Sequence, residues 1–371
     1  MLLMKTARRV HSNIEQALLG VNKKMKTKEI KSSARVLICL ALCALLLCSL
    51  ALPISAARDA RQKLYVGGTP FGVRYFTEGI MVVGYCDVTC NGKAENPAKT
   101  AGVRPGDCIT RIDEKAPDDV SDLADAINES GGKTLTLTLK RENKELTVSL
   151  SPLACDSDGR YRTGLWVRDT GAGIGTITYI KENGKDFAGL GHGICDGASG
   201  CLVPIARGSV MGVTIGGITR GAVGAPGELK GHFSAGKWGA LNTNTTCGVY
   251  GVLTERPQET AGLLPIGYRN ELKEGAATCW CTLDDNEPHE YTVKISDIHR
   301  AAKDNKCFTV TVTDNALLEK TGGIVQGMSG SPIVQDGRIV GAITHVLIGD
   351  PTTGYGIFIE NMLENMPQAL K

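Results

Sequence analysis

The chain has 371 residues, of which 42% are hydrophobic, 22% charged and 5% aromatic, and this composition excludes a disordered or collagen-like protein. The 46 glycines, set among Val, Ile and Thr clusters, favour short strands joined by tight turns over a helical bundle. A formal net charge of +2 provides no chain-wide basic surface, so we expect no nucleic-acid partner.

The first 35 residues form a basic arm, with nine Lys and Arg residues against two Glu residues. Residues 36–57 follow as an uncharged apolar segment, long enough to cross about 30 Å of hydrocarbon at about 1.5 Å per residue. Because the basic residues precede this segment, the positive-inside rule predicts a cytoplasmic arm and an exported remainder. We interpret 36–57 as a transmembrane anchor; a removed signal is the alternative, since Ser55 and Ala57 suit a cleavage site.

The chain contains 13 cysteines, three of them in the apolar segment. The ten that follow are compatible with disulfides, whose connectivity a single sequence does not define. The close pairs Cys86/Cys90 and Cys279/Cys281 lack the spacing of zinc-binding motifs. The sequence therefore predicts neither a metal nor a cofactor.

Residues 64–152 are predicted to form the first folded domain. The string AGVRPGDCITRID at 101–113, followed by an amphipathic helix over 120–128 and two closing strands, resembles PDZ domains. The resemblance implies an α+β domain that binds an extended peptide or a chain terminus by strand addition beside a helix. Phe71, Gly72 and Val73 lie where such domains present backbone N–H groups to the ligand, so they are the predicted peptide-binding residues. Alternatively, the domain only packs against the next one and shields it.

Residues 161–371 are predicted to form a larger antiparallel β domain, because short strands recur about every ten residues. Within it, GMSGSP at 327–332 precedes a strand, an Asp-Gly turn and a second strand. A serine becomes a nucleophile only where a base takes its proton and N–H groups stabilise the oxyanion. The string resembles the nucleophile loop of chymotrypsin-like serine peptidases. This resemblance implies a β-barrel with Ser329 as nucleophile and the N–H groups of Gly327 and Ser329 as oxyanion hole; Ser331 is the alternative serine.

A base is sought among the histidines that follow the apolar segment: His192, His232, His289, His299 and His345. His192 is the predicted base, because flanking glycines let a substrate approach its imidazole and because it precedes Ser329 in the His-then-Ser order of that fold class. His345 is the candidate for shaping a specificity pocket, and the other three lie in polar surroundings typical of a surface.

A carboxylate should hold the imidazole of the base. Asp314 ends a predicted strand 15 residues before Ser329, and this position suits a member of a catalytic triad. Asp196, close to His192 in sequence, and Asp350, which follows His345, remain alternatives.

The blocks FAGLGHGICD and TGGIVQGMSGSPIVQDGRIVGAITHVLIGDPTTGYGIFIENML, together with the apolar and PDZ-like segments, closely resemble the stage IV sporulation protein B peptidases of family S55. The resemblance implies a serine endopeptidase exported into the space between the two forespore membranes. There it would cleave itself and a membrane-bound regulatory complex, and so trigger processing of a late sigma-factor precursor. The family's triad falls on His192, Asp314 and Ser329. A non-catalytic PDZ-containing signalling scaffold and an envelope quality-control serine protease are the alternative interpretations.

Overall fold

The computed structural model describes residues 61–142, 144–254, 257 and 261–368. The predicted basic arm over 1–35 and the predicted anchor over 36–57 lie outside these residues. Among the residues described, no helix combines the length and apolar character needed to cross a membrane.

The fold is mainly β, as the sequence predicts. The strands are β1 (Lys63–Val66), β2 (Pro70–Tyr85), β3 (Val88–Cys90), β4 (Lys93–Glu95), β5 (Cys108–Ile112), β6 (Leu135–Arg141), β7 (Lys144–Leu150), β8 (Leu153–Ala154), β9 (Tyr161–Arg162), β10 (Leu165–Lys181), β11 (Asp186–Gly189), β12 (Ile205–Thr219), β13 (Glu228–Thr245), β14 (Gly248–Leu253), β15 (Leu263–Pro265), β16 (Gly275–Thr282), β17 (Pro288–Ser296), β18 (Phe308–Val312), β19 (Pro332–Gln335), β20 (Arg338–Leu347) and β21 (Asp350–Phe358). The helices are α1 (Pro97–Thr100), α2 (Val120–Glu129), α3 (Asn315–Thr321) and α4 (Ile359–Glu364).

Six antiparallel strands close into a first barrel, in the order β10-β11-β14-β13-β12-β2 and back to β10. Strand β1 pairs with β10 on one side and with β15 on the other. Apolar side chains from alternate positions fill the barrel; Phe71 and Phe187, for example, meet edge to face with ring centroids 5.6 Å apart. Because the sheet closes into a barrel, its two edge strands pair with each other. The loops at the ends of the barrel are then the segments available to form a functional site.

Both β2 and β10 continue out of the first barrel into the PDZ-like region. There the end of β2 pairs with β5, and β6 and β7 complete the sheet. Helix α2 covers this sheet with Leu123 and Ile127, and it begins after Asp119, whose carboxylate accepts the N–H of Asp122 at 2.9 Å. An acidic N-cap of this kind satisfies a free helix N–H.

The predicted PDZ-like segment starts at residue 64, but residues within 64–76 pair with β10 and β12 of the first barrel and with the flanking strand β15. The physical reason is that β2 is one continuous strand of 16 residues. Apolar residues alternate in the barrel half (Phe71, Val73, Tyr75) and are contiguous in the PDZ half (80–83), with no loop between the two halves, so the strand shows no linker where one region ends.

A second barrel is closed by six antiparallel strands in the order β16-β17-β18-β21-β20-β19. Its core contains Phe308 and Phe358, with ring centroids 5.5 Å apart. The serine-containing loop over 327–331 leads directly into β19 and lies against β10 of the first barrel. The barrels therefore bring the two predicted catalytic segments together.

Candidate active site

A cavity of about 290 Å³ opens where strand β10 meets the serine-containing loop. Its lining residues are Val73, Tyr75, Ala172, Gly173, Ile174, Gly175, Leu190, His192, Gly193, Ile194, Cys195, Gln326, Gly327 and Ser329. The predicted base, nucleophile and oxyanion-hole glycine thus share one cavity.

Strand β10 holds the serine-containing loop in place through its threonines. The Thr176 N–H donates to the Ser329 carbonyl at 3.0 Å, and the Thr176 hydroxyl donates to the Gly327 carbonyl at 2.8 Å. Thr178 donates to the carbonyl of Gly330 at 2.8 Å. Gly330 has φ +97, and a Cβ there would lie 2.1 Å from the Thr176 carbonyl oxygen. Only glycine allows so close an approach of loop and strand.

Two backbone N–H groups of this loop are free to bind an anion. Within the described part of the chain, no acceptor receives the N–H of Gly327 or of Ser329, whereas the intervening Met328 N–H donates to Val325 at 3.1 Å. Two free N–H groups on one rigid loop beside a nucleophile can stabilise the oxyanion of acyl transfer. The arrangement fits the oxyanion role of these residues, which stays a prediction.

The two candidate serines occupy different environments. Ser329 is half-buried at the cavity, and its Oγ donates to the Thr344 carbonyl at 2.8 Å. Ser331 is fully buried, and its hydroxyl has no partner among the described residues. Of the two, Ser329 is therefore the serine that a substrate in the cavity can meet.

The hydrogen bond of His192 defines which of its ring nitrogens is free to act as a base. Its Nδ1 lies 2.9 Å from the Gly193 carbonyl, which can only accept, so Nδ1 carries the proton and Nε2 has the free lone pair. Burial lowers the pKa of His192 below its ordinary value, which favours the neutral form that a general base needs. No hydrogen bond joins His192 to Ser329 in the described residues, because the serine hydroxyl is turned to Thr344.

His345 lies against the predicted base, with ring centroids 4.9 Å apart. Burial, followed by the nearby His192 and Lys306, lowers the pKa of His345 to about 4. Its Nδ1 is buried without a hydrogen-bond partner in the described structure. Sequence reasoning proposed a pocket role for His345 but missed this stacking, and likewise missed Thr176, because both depend on contacts between the barrels.

The three candidate carboxylates lie outside the cavity. Asp314 precedes helix α3, where its side chain accepts the N–H groups of Leu317 at 3.1 Å and Thr292 at 3.3 Å. The exposed Asp350 accepts from Thr352. None of the candidates, Asp196 included, bonds to His192 within the described residues. The identity of the third triad member therefore stays a prediction.

Asp196 is fully buried beside Arg168, whose guanidinium lies 3.1 Å from its Oδ2. Its other oxygen, Oδ1, accepts the N–H groups of Ala198 and Ser199. These hydrogen bonds and the Arg168 charge lower the pKa of Asp196 against the opposing effect of burial, which is the largest single influence. Asp196 thus fixes the loop that follows His192.

The structure does not bring the predicted peptide-binding residues to the PDZ groove. Phe71, Gly72 and Val73 lie in the barrel half of β2, paired with β10 and β12. Phe71 is fully buried, the Gly72 backbone faces the ring of Phe233, and Val73 lines the cavity of Ser329. The part of β2 that joins the PDZ sheet is instead its far end, about ten residues later in the chain, where Ile80 and Met81 pair with β5.

The remaining candidates behave as ordinary structural residues. His232, His289 and His299 are exposed. The ten described cysteines are free thiols. No group of three or more His, Cys, Asp or Glu side chains suited to a metal ion occurs in the part of the chain that is described.

The model of the family SpoIVB peptidase S55 matches residues 159–363, and a PDZ domain model matches residues 77–151. No protein of curated function matches the chain. Among solved structures, the chain is similar to the PDZ domain of the SdrC-like protein from Listeria monocytogenes, with 24% identity over 24% of this chain and 87% of that chain and a TM-score of 0.20.

It is also similar to the Rv3671c protease from M. tuberculosis in its active form, with 13% identity over 52% of this chain and 72% of that chain and a TM-score of 0.31. A serine-to-alanine mutant of Rv3671c in its inactive form gives 12% identity, coverage of 52% and 79%, and a TM-score of 0.29. The S55 family model spans more than half of the 371 residues. The chain therefore belongs to the SpoIVB peptidase S55 family, and it is a serine peptidase with a PDZ domain.

Proposed function

We propose that this peptidase is a sporulation endopeptidase that acts between the two forespore membranes. It cleaves itself and a membrane-bound regulatory complex, and this cleavage triggers processing of a late sigma-factor precursor. The observation that carries the proposal is the cavity shared by His192 and Ser329 in a chain of this family. The apolar segment over 36–57 supports a tether that keeps the enzyme near a membrane substrate.

In the proposed mechanism, the Ser329 Oγ attacks the substrate carbonyl while Nε2 of His192 takes its proton. The N–H groups of Gly327 and Ser329 stabilise the tetrahedral oxyanion. His192 then gives the proton to the leaving amine, and an acyl-enzyme forms on Ser329. A water molecule, deprotonated by His192, attacks the acyl-enzyme and releases the second product.

The site as described corresponds to a resting state. The Ser329 hydroxyl must leave the Thr344 carbonyl before it can donate to His192. The Gly193 carbonyl occupies the Nδ1 position at which a triad carboxylate binds. The role that we propose for Asp314, stabilising the imidazolium, therefore requires a conformation in which its carboxylate replaces Gly193.

The chemistry is tested by treating the full-length chain, purified in detergent, with a fluorophosphonate probe and locating the label by peptide mass spectrometry. We expect label on Ser329, none in Ser329→Ala or His192→Ala, and undiminished label in Ser331→Ala. A folded parent chain that takes no label, or label on Ser331, would refute the proposed nucleophile.

The biological role is tested in an endospore-forming bacterium from which the resident S55 peptidase has been deleted. Expression of the full chain should restore processing of the sigma-factor precursor on an immunoblot, and Ser329→Ala should not. If the chain is made outside sporulation and its loss only causes misfolded envelope proteins to accumulate, the quality-control function is correct instead.

A further inference from the structure

The peptide groove of the PDZ domain already holds a strand of this chain. Residues 165–168 of β10, hereafter the groove segment, pair antiparallel with the end of β2, so that Leu165 lies opposite Tyr85 and Val167 opposite Val82. Helix α2 borders the same segment, since both line one cavity. PDZ domains bind an extended peptide by adding it to a strand beside a helix. The groove segment thus occupies the position of a peptide ligand.

Residues on either side of the groove segment form hydrogen bonds with the two ends of helix α2. The N–H of Val120, the first residue of the helix, donates to the carboxylate of Asp169 at 3.1 Å. Near the other end, the Tyr161 N–H donates to the side chain of Asn128 at 3.0 Å. The chain therefore lies along the full length of the helix, as a bound peptide would.

The apolar packing of the groove segment is incomplete. Leu165 and Val167 pack against the PDZ core only in part, and Trp166, on the opposite face, is 56% exposed. A cavity of about 370 Å³ remains between the segment and the face of α2 that carries Leu123 and Ile127. Larger apolar side chains at the two inward positions would bury more surface and gain dispersion contacts. Covalent attachment gives the segment a high effective concentration at the groove, which offsets its incomplete packing.

The groove segment is also connected to the loop of the predicted base. Arg168, its last residue, pairs with Asp196 at 3.1 Å, and Asp196 lies four residues after His192. Withdrawal of Arg168 would leave the buried Asp196 Oδ2 without its cation, which is costly in a protein interior. Removal of the groove segment would therefore disturb the loop that lines the cavity of Ser329.

We propose that the groove segment is a built-in competitor for PDZ ligands. A protein partner binds by inserting an extended segment with large apolar residues at alternate positions, and this insertion displaces residues 165–168 from β2 and α2. Displacement of the groove segment would regulate the peptidase site, so its biological meaning rests on the proposed peptidase function. The binding step itself requires no catalysis.

The experiment uses the full-length chain with Ser329→Ala, which prevents self-cleavage, and a fluorescent peptide with the sequence YRTGLWVRD of residues 161–169. Leu165→Ser combined with Val167→Ser weakens the internal competitor, and Trp166→Ser on the opposite face of the strand is the matched control. We expect the double variant to bind the peptide at least tenfold more tightly than the parent and the control to match the parent. A second peptide, YRTGFWFRD, should bind the double variant more tightly than the first. Equal affinities of parent and double variant would overturn the proposal.

Hydrogen exchange on the chain with only Ser329→Ala tests displacement without destabilising the PDZ domain. Saturation with YRTGFWFRD should speed exchange at residues 165–168 while residues 82–85 stay protected by the incoming strand. If the peptide binds while 165–168 remain protected, the ligand lies elsewhere and the proposal is wrong. Because Ser329 is absent, neither experiment depends on the fluorophosphonate result that tests the proposed peptidase chemistry.

Discussion

Thr176 provides a direct test of how the first barrel supports the serine-containing loop. Its side chain is buried, with 2% exposure, and its hydroxyl donates to the Gly327 carbonyl at 2.8 Å. Thr176→Val preserves the shape and keeps the backbone bond to Ser329, but leaves that carbonyl without its donor. The loss of this hydrogen bond, which leaves a partly buried carbonyl without its donor, costs about 1 to 2 kcal/mol. The hydrogen bond to this carbonyl also fixes the backbone of Gly327. Without it, the Gly327 N–H should lose its alignment with the oxyanion.

The assay is the second-order rate of fluorophosphonate labelling, corrected for the folded fraction. Complete loss of one oxyanion donor costs about 10²–10³ in rate, so misalignment in Thr176→Val should slow labelling about tenfold. The control is Thr282→Val, because Thr282 is also 2% exposed and donates to a backbone carbonyl, that of Gly68, at 2.9 Å. It should lose similar thermal stability and label at the parent rate. Equal labelling rates for the two variants would show that Thr176 acts on stability alone.

Buried polar groups elsewhere in the protein should also affect its stability. Ser331→Ala should leave thermal stability unchanged or slightly raised, because the buried hydroxyl has no partner among the described residues; a loss above about 2 kcal/mol would contradict this. With a folded pKa of about 4 for His345 and an unfolded value near 6.5, protonation favours unfolding. Stability should therefore fall by up to about 3 kcal/mol between pH 6.5 and 4, and His345→Gln should flatten this slope in urea titrations. Arg141→Ala should destabilise by about 3 kcal/mol, because it removes the cation paired with the buried Asp107 and leaves that carboxylate the Arg104 N–H as donor, whereas Lys140→Ala, which breaks a more exposed ion pair with Glu78, should change stability much less.

The catalytic candidates could be predicted from sequence because their requirements are local. A nucleophilic serine needs a tight glycine-flanked loop, and the base needs an approachable imidazole, so Ser329 and His192 stand out without knowledge of the fold. The carboxylate is different. An Asp that ends a strand before a helix serves equally well as an N-cap, and the cap is what Asp314 forms here. Local sequence does not separate the two roles.

The PDZ boundary and groove could not be predicted because they depend on pairing between distant residues. The groove segment pairs Val167 with Val82, and no local sequence pattern predicts a contact between residues so far apart in the chain. Strand β2 runs without a break from the barrel into the PDZ sheet, so the predicted peptide-binding residues lie about ten residues before the part of β2 that joins that sheet. A long strand shared by two domains removes the composition change that usually marks a boundary.

The pairing of β10 with β2 also decides how far a displaced groove segment can disturb the enzyme. A strand cannot slide by one residue without turning every side chain to the opposite face of the sheet. The groove segment must therefore leave β2 by detaching from it. The register between β10 and β2 shifts twice, between Trp166 and Val167 within the groove segment and between Arg168 and Thr170 at its end. Such irregularities are where a ladder most readily ends, and the second is the last one before the barrel. Detachment should therefore stop there, leaving Thr176 and its bonds to the serine-containing loop intact. What is lost is the ion pair between Arg168 and Asp196, so a PDZ ligand should act on the His192 loop rather than on the nucleophile.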